Sequence, residues 1–372
     1  MPAKCLRSDA GIGWCYRLVL PFSELPVIEM PRSDSENLSA EHAVKQSAGG
    51  IRVAVIGAGD FGRNHARVYR QIEGAELVGV LDTDPERAQR VAAEYATSVL
   101  PDLDALAGHV DAVSVAVPTV EHARIGCRLL EQGIDVLVEK PIAASLAEAD
   151  LLIATAARHD RILQVGHLER FNPAIVAVWP VVNRPLYFEV HRLGVFTPRS
   201  LDIDVVYDVM IHDLDILLAL VNEPAAEVRS LGIPVVTDKV DIAHARLEFP
   251  SGAVANVTAS RVSVERVRKM RFFQQHEYIS VDYTRKDALR ISVRQPGPQP
   301  QFEFEQIPVR AQEPLEGELR SFLDAVRRRT APVVDGAAGR RALALADRVT
   351  AGILEHSRGV QLGAFASQQA NS

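Results

Sequence analysis

Cysteine is scarce: the 372-residue chain has three, Cys5, Cys15 and Cys127, and no metal-type spacing among them. That usage argues against a disulfide framework and points to a reducing compartment, the cytoplasm. Long apolar runs are missing too. None approaches the roughly 20 residues a membrane span needs, so no membrane partner is expected. In the first 50 residues the apolar patches Leu18-Val19-Leu20 and Leu25 to Ile28 are short, and Pro21 interrupts what would have to be a signal-peptide core. This segment is expected to be a disordered extension, with Met30 a candidate true start. Positive charge is not in excess either. A formal net charge of −7 with 24% charged residues gives no electrostatic reason for a nucleic-acid partner, and an anionic substrate would need locally placed arginine or lysine. What the chain has in quantity is apolar surface, 47% of residues, enough at this length for two cored domains.

Ile51 to Ala66, IRVAVIGAGDFGRNHA, carries the first specific signal. Val53 to Ile56 reads as a strand buried on both faces, and Phe61 to Gln71 as a helix. Between them Gly57, Gly59 and Gly62 stand at G-x-G-x-x-G spacing. Each glycine has its own task there: a tight turn, room for a pyrophosphate, and close helix–sheet packing. The helix N-terminus offers N–H groups and a positive dipole end to phosphates. Asp82 ends a second apolar run 20 residues past Gly62, where an acid holds an adenosine ribose.

The alternation then continues. Pro85 to Glu94 reads as a helix with Asp84 as N-cap, and Val110 to Val117 as a strand. Val120 to Gln132 is a helix stopped by Gly133, and Ile134 to Val138 a strand ending in Glu139-Lys140-Pro141. A helix over Leu146 to His159 and a strand over Ile162 to Val165 complete an α/β, doubly wound parallel sheet. Beyond Gly166 successive strands follow: Val190 to Phe196, Ala243 to Phe249, Ala253 to Val262, Met270 to Phe273, Tyr278 to Tyr283 and Leu289 to Val293. They predict an α+β domain with a large, open, mainly antiparallel sheet, helices on one face. One long helix interrupts them at about Asp204 to Val221, Gln295 to Gln301 reads as a loop, and helices over Glu316 to Arg328 and Gly339 to His356 come last. The expected division is an extension (1–50), a dinucleotide domain (51–166), a second domain (167–335), a C-terminal helix (336–362) and a disordered tail (363–372). The open sheet face calls for a partner sheet, hence a homodimer or homotetramer.

Three places could carry chemistry. Lys140 stands at the carboxyl end of a strand, on the crevice side of an open sheet, before a proline that permits a cis bond. Asp208 and His212 are four apart in YDVMIHDLDILLAL, so a carboxylate lies one turn from an imidazole that it could orient. A metal centre built on His212, Asp213 and Asp215 would need further histidines that the surrounding sequence does not offer, so no metal is expected. The donor-rich stretches GHLERFNP and RLGVFTPRS supply His167, Arg170 and Asn172, with Arg192 and Arg199 as clamps for phosphate oxygens.

Taken together, VAVIGAGDFGRNH, VAVPTVEHA, VEKP and DVMIHDLD resemble the Gfo/Idh/MocA family of NAD(P)-dependent sugar oxidoreductases over about Ile51 to Leu362. Asp204-Val205-Val206 stands where a Gly-Gly run is common in the family, which bears on pocket shape and not on the Asp-x-x-x-His pair. The resemblance implies a cofactor held by Gly57, Gly59, Asp60, Phe61, Gly62 and Asp82, with Pro118, Thr119, His122, Glu139 and Lys140 at its nicotinamide end. The acid at Asp82 favours NAD over NADP. It further implies that His212 takes a hydroxyl proton, that Lys140 polarises the oxygen, and that Asp208 orients both. VGHLERFNP and RLGVFTPRSLDIDVVYDVMIHDLDI are most similar to the family's nucleotide-sugar 3-dehydrogenases, which include a UDP-N-acetylglucosamine type serving lipid A assembly. The alternatives are a free-sugar or inositol-type dehydrogenase and a non-catalytic NAD-binding regulator.

Overall fold

A computed structural model describes residues 50–197, 203–296 and 298–359. The expected extension up to residue 49, the C-terminal tail and Arg199 lie outside the described residues. Five apolar runs and one short exposed edge strand form one parallel sheet: β1 (Ile51–Ile56), β2 (Ala75–Leu81), the edge strand β3 (Ser98–Val99), β4 (Ala112–Val115), β5 (Asp135–Glu139) and β6 (Leu163–Gly166). Their order is β3-β2-β1-β4-β5-β6. The direction of winding reverses between β1 and β4, and ligands of such sheets bind outside that switch point. Helices α1 (Asp60–Tyr69), α2 (Pro85–Glu94), α3 (His122–Glu131) and α4 (Leu146–Arg158) connect the strands. The Asp84 side chain accepts the N–H groups of Glu86 and Arg87 and caps α2, with Pro85 at its first position.

After the short helix α5 (Pro173–Val178) comes β7 (Tyr187–Leu193), and then a π-helical turn (Val206–Met210) leading directly into α6 (Ile211–Val221). Seven strands complete a second sheet: β8 (Glu227–Ile233), β9 (Ile242–Glu248), β10 (Val254–Ser260), β11 (Val267–Gln274), β12 (Glu277–Asp282), β13 (Asp287–Gln295) and β14 (Gln301–Gln306). The order is β14-β13-β12-β11-β7-β10-β9-β8, parallel only at β7–β10. Alternate residues such as Phe188, Val190, Val257 and Phe272 point to one face, where Ile211, Leu214 and Leu217 of α6 cover them. Helices α7 (Pro314–Arg328) and α8 (Gly336–Gly359) finish the chain.

Three expectations change. The first strand of the second sheet runs Tyr187–Leu193, so residues 194–196 are not strand, while β8 and β14 are additional. The expected loop at Gln295–Gln301 narrows to the link between β13 and β14. Helix α7, counted by sequence with the second domain, packs Leu319, Phe322 and Leu323 against Val53, Tyr69 and Leu137 of the first. α8 spans both cores, with Ala338 and Leu343 on one and Leu345 and Val349 on the other.

Candidate active site

The turn after β1 requires glycine at two positions. Gly57 has φ +92°, and a Cβ there would lie 2.3 Å from the Ala116 carbonyl oxygen; on Gly62 it would lie 1.7 Å from that of Gly57. Around Gly59 a Cβ would meet nothing within 4 Å, so the loop is open where a pyrophosphate approaches. The N-cap of α1 is Gly59, which has no side chain to compete with phosphate oxygens at the helix N-terminus. Asp82 holds the loop: its carboxylate accepts the Ala58 N–H at 2.6 Å and the Asp84 N–H at 2.8 Å. A carboxylate has about four lone-pair sites, so ribose hydroxyls can share it. Two clefts adjoin here and share Ala116, Val117 and Pro118. One, about 860 Å³, is lined by Gly57, Gly59 and Asp82; the other, about 580 Å³, by Phe61, Thr119, Glu139, Lys140 and Asp208. Their union suits an extended dinucleotide with its far end at Lys140.

Lys140 leaves β5 through a cis peptide to Pro141. Its ammonium donates to the backbone carbonyl of Asp208 at 2.6 Å and lies 3.4 Å from the Asp208 carboxylate. The π-turn widens the helix at this residue, a distortion that recurs at functional sites. Asp208 thus faces Lys140, while His212 Nδ1 is buried without a hydrogen-bond partner. Burial, and next the Lys140 charge, hold the His212 imidazole well below its ordinary pKa. The His167 ring stands edge-on to that of His212, 6.3 Å between centroids, and neither of its nitrogens has a partner. Burial lowers its pKa as well.

Glu139 lies beside the same lysine. Its carboxylate meets His65 Nε2 at 3.0 Å and accepts the Lys140 backbone N–H at 3.3 Å. Burial alone would raise its pKa; His65 and the Lys140 charge outweigh that and lower it. Lys140, His212, Glu139, His65 and Phe61 share a further niche of about 250 Å³.

Four expected contact residues sit elsewhere than the sequence placed them. Arg192 is buried and gives Nε and Nη2 to Asp213 at 2.7 and 2.8 Å and Nη1 to Glu169 at 2.7 Å. Arg170 pairs with both oxygens of Asp215 at 2.6 and 3.0 Å. Asn172 caps α5 and donates to Glu169 and the Tyr283 carbonyl. All three side chains are engaged within the protein, Arg192 through every nitrogen of its guanidinium. His122 is 1% exposed, with its ring nitrogens 2.9 Å from the carbonyl oxygens of Pro141 and Val117. It ties together two turns that line the cleft; burial lowers its pKa.

Two residues escaped the sequence reading. His65 follows Gly62 by three positions on the buried side of α1, which also carries Ala66 and Tyr69; a histidine in that stripe was the available signal. Glu318 likewise interrupts the apolar stripe Leu315, Leu319, Phe322 of α7.

The chain is similar to known proteins over most of its length. The family model "Oxidoreductase family, NAD-binding Rossmann fold" matches residues 51–167, and "GFO/IDH/MocA C-terminal domain" matches 188–278. A UDP-N-acetylglucosamine 3-dehydrogenase of Acidithiobacillus ferrooxidans is 41% identical over 303 residues, 80% of this chain and 96% of that protein. A solved structure of that enzyme superposes with a TM-score of 0.77 at 39% identity, covering 82% of this chain and 98% of the other. The scyllo-inositol 2-dehydrogenase (NAD(+)) of Bacillus subtilis is 31% identical over 237 residues, 57% of this chain and 68% of its own. Levoglucosan dehydrogenase, solved with NADH and levoglucosan, has a TM-score of 0.75 over 82% of this chain and 98% of its own. At 18% identity it shows the shared fold alone.

Proposed function

The chain belongs to the Gfo/Idh/MocA family and is an NAD-dependent oxidoreductase, and we propose that it oxidises a nucleotide-sugar hydroxyl, at C3 of a UDP-N-acetylhexosamine. The observation that carries the reading is similarity over nearly the whole of a UDP-N-acetylglucosamine 3-dehydrogenase. Lys140 and His212, which border one niche beside the glycine loop, support it. Oxidising a secondary alcohol removes a hydride from carbon and a proton from oxygen. NAD⁺, when bound, accepts the hydride. His212, neutral because it is buried next to Lys140, accepts the proton. Lys140 donates a hydrogen bond to the same oxygen, and the Asp208 carboxylate and carbonyl hold its ammonium in reach. His167, partnerless and edge-on to His212, lies behind that ring and would position it rather than meet the sugar. The phosphate clamp no longer rests on Arg192, whose donors are taken.

The same proposal covers the cytoplasm as location, a cell-surface sugar pathway of the lipid A kind as context, and assembly through the second sheet. The decisive assay follows NADH absorbance with UDP-N-acetylglucosamine, UDP-N-acetylgalactosamine, free N-acetylglucosamine and scyllo-inositol. Turnover confined to the UDP-sugars is expected. Preference for inositol would favour the second reading, which the 31% relative supports. In parallel Lys140→Met should cut kcat by about 10²-fold or more while NAD affinity stays within about threefold. Near-normal turnover would remove Lys140 from the chemistry.

A further inference from the structure

Behind Glu139, on the side away from the cleft, lies a second carboxyl group. Glu318 of α7 is 0% exposed, and neither of its carboxyl oxygens has a hydrogen-bond partner. Ligand-capable atoms of Glu318, Glu139 and His65 all lie within 4.8 Å of one another. Two carboxylates this close in a dry interior cannot both be ionised, so one keeps a proton. The surroundings decide which. Glu139 has the His65 ring, the Lys140 N–H and the Lys140 ammonium to stabilise its anion. Glu318 has the same His65 ring within 4.8 Å but no hydrogen bond to it. The other polar groups around it are the Gln164 amide of β6, which donates to the Glu318 backbone carbonyl at 3.2 Å, and the Tyr69 hydroxyl of α1, engaged with Ser114 at 2.8 Å. Gln164 Oε1 is itself buried without a donor, so this pocket holds acceptors in excess of donors.

We propose that Glu318 carries a proton in the working enzyme and backs Glu139 as an acid–carboxylate pair, making α7 a positioning element for the Glu139–Lys140 turn. The proton turns a surplus acceptor into a donor that the Glu139 carboxylate can take. Burial and the Glu139 charge both push the Glu318 carboxyl well above its ordinary pKa, the direction this arrangement requires. Glu318 touches neither substrate nor cofactor; it acts through Glu139. The inference rests on Lys140 being the working lysine, but its first test needs no sugar.

Infrared spectra of the whole chain in D₂O at neutral pH should contain the C=O stretch of a protonated carboxyl, and Glu318→Gln should remove it. Raising the pH should titrate that band, and kcat should fall with the same midpoint. Glu318→Gln, still neutral and a donor, should keep kcat within about threefold and lose that alkaline decline, whereas Glu318→Leu, equally buried but mute, should lose about tenfold or more. Glutamine and leucine behaving alike would reduce Glu318 to packing. A band missing from the unaltered protein, or a stoichiometric metal ion that Glu318→Gln loses, would overturn the shared proton. Should the leucine variant fail to fold, the band and the glutamine pH profile decide. A protein that turns over no sugar but shows the band would separate failure of the substrate reading from failure of this one.

Discussion

At the scale of single residues, the protonation of His212 decides whether the cleft can act as a base. A buried imidazole beside an ammonium loses affinity for its own proton, first through desolvation and then through repulsion. The neutral ring is the competent form, and a depressed pKa keeps it neutral as the pH falls past 6.5, the ordinary histidine value. The acid limb of kcat/KM for the sugar, which at saturating NAD reports the enzyme–NAD complex before the sugar binds, is therefore expected below 6.5. A limb at or above that value in a pH series with saturating NAD would refute the neutral ring. Much of this was legible in the sequence, because a Lys-Pro after a buried strand and a D-x-x-x-H helix each place a polar group against apolar surface. The partners were not. Arg192 reads as a free clamp until its carboxylate, 21 residues on at Asp213, is brought beside it. Asp208 is expected to orient both Lys140 and His212; its carboxylate and carbonyl meet Lys140, which comes from another domain.

At the scale of elements, α6 works because it is anchored at its polar end. Its first turn carries Asp213 into a buried pair with Arg192 of β7, and Asp215 pairs with Arg170 just after β6. Arg192 also stacks 4.9 Å from the centroid of the Tyr283 ring. These two pairs hold the helix on both sides of His212 while the π-turn before it aims the Asp208 carbonyl at Lys140. Removing one partner of a buried ion pair leaves the other charge uncompensated, at a cost of about 3–5 kcal/mol. Glu169 still reaches Arg192, so Asp213→Asn is expected at the lower end, about 3 kcal/mol in urea unfolding, with kcat falling more than NAD affinity. A loss under about 1 kcal/mol would mean that the pair does not anchor the helix. The sequence showed α6 through its apolar run but not the π-turn, because one extra residue per turn leaves no mark in hydrophobic spacing. It missed β14 for a different reason: QFEFEQ alternates well, but it follows a Pro/Gln-rich stretch that read as loop.

At the scale of the molecule, one sheet binds the dinucleotide and the other presents a face that the described helices leave uncovered. The parallel sheet and its switch point followed from strand–helix alternation, whereas the strand order of the second sheet could not, because β7 pairs with β10 and β11 across long intervals of chain. Register then creates a pattern the linear sequence hides. Val254, Tyr187, Phe273, Tyr278, Ile291 and Phe304 lie side by side in one row across six neighbouring strands. The rings of Tyr187 and Phe273 are 5.8 Å apart and those of Phe273 and Tyr278 5.1 Å. At the edge Phe302 is 55% exposed and Phe304 69%. A contiguous apolar row of this kind suits the proposed assembly, in which a second copy of the same sheet would cover it. Phe302→Lys with Phe304→Lys should shift the protein to a smaller species in light scattering at micromolar concentration. NAD affinity should stay unchanged, because the cleft lies on the other sheet. An unaltered chain that is monomeric under the same conditions would leave this row without a partner and remove the sheet from the assembly.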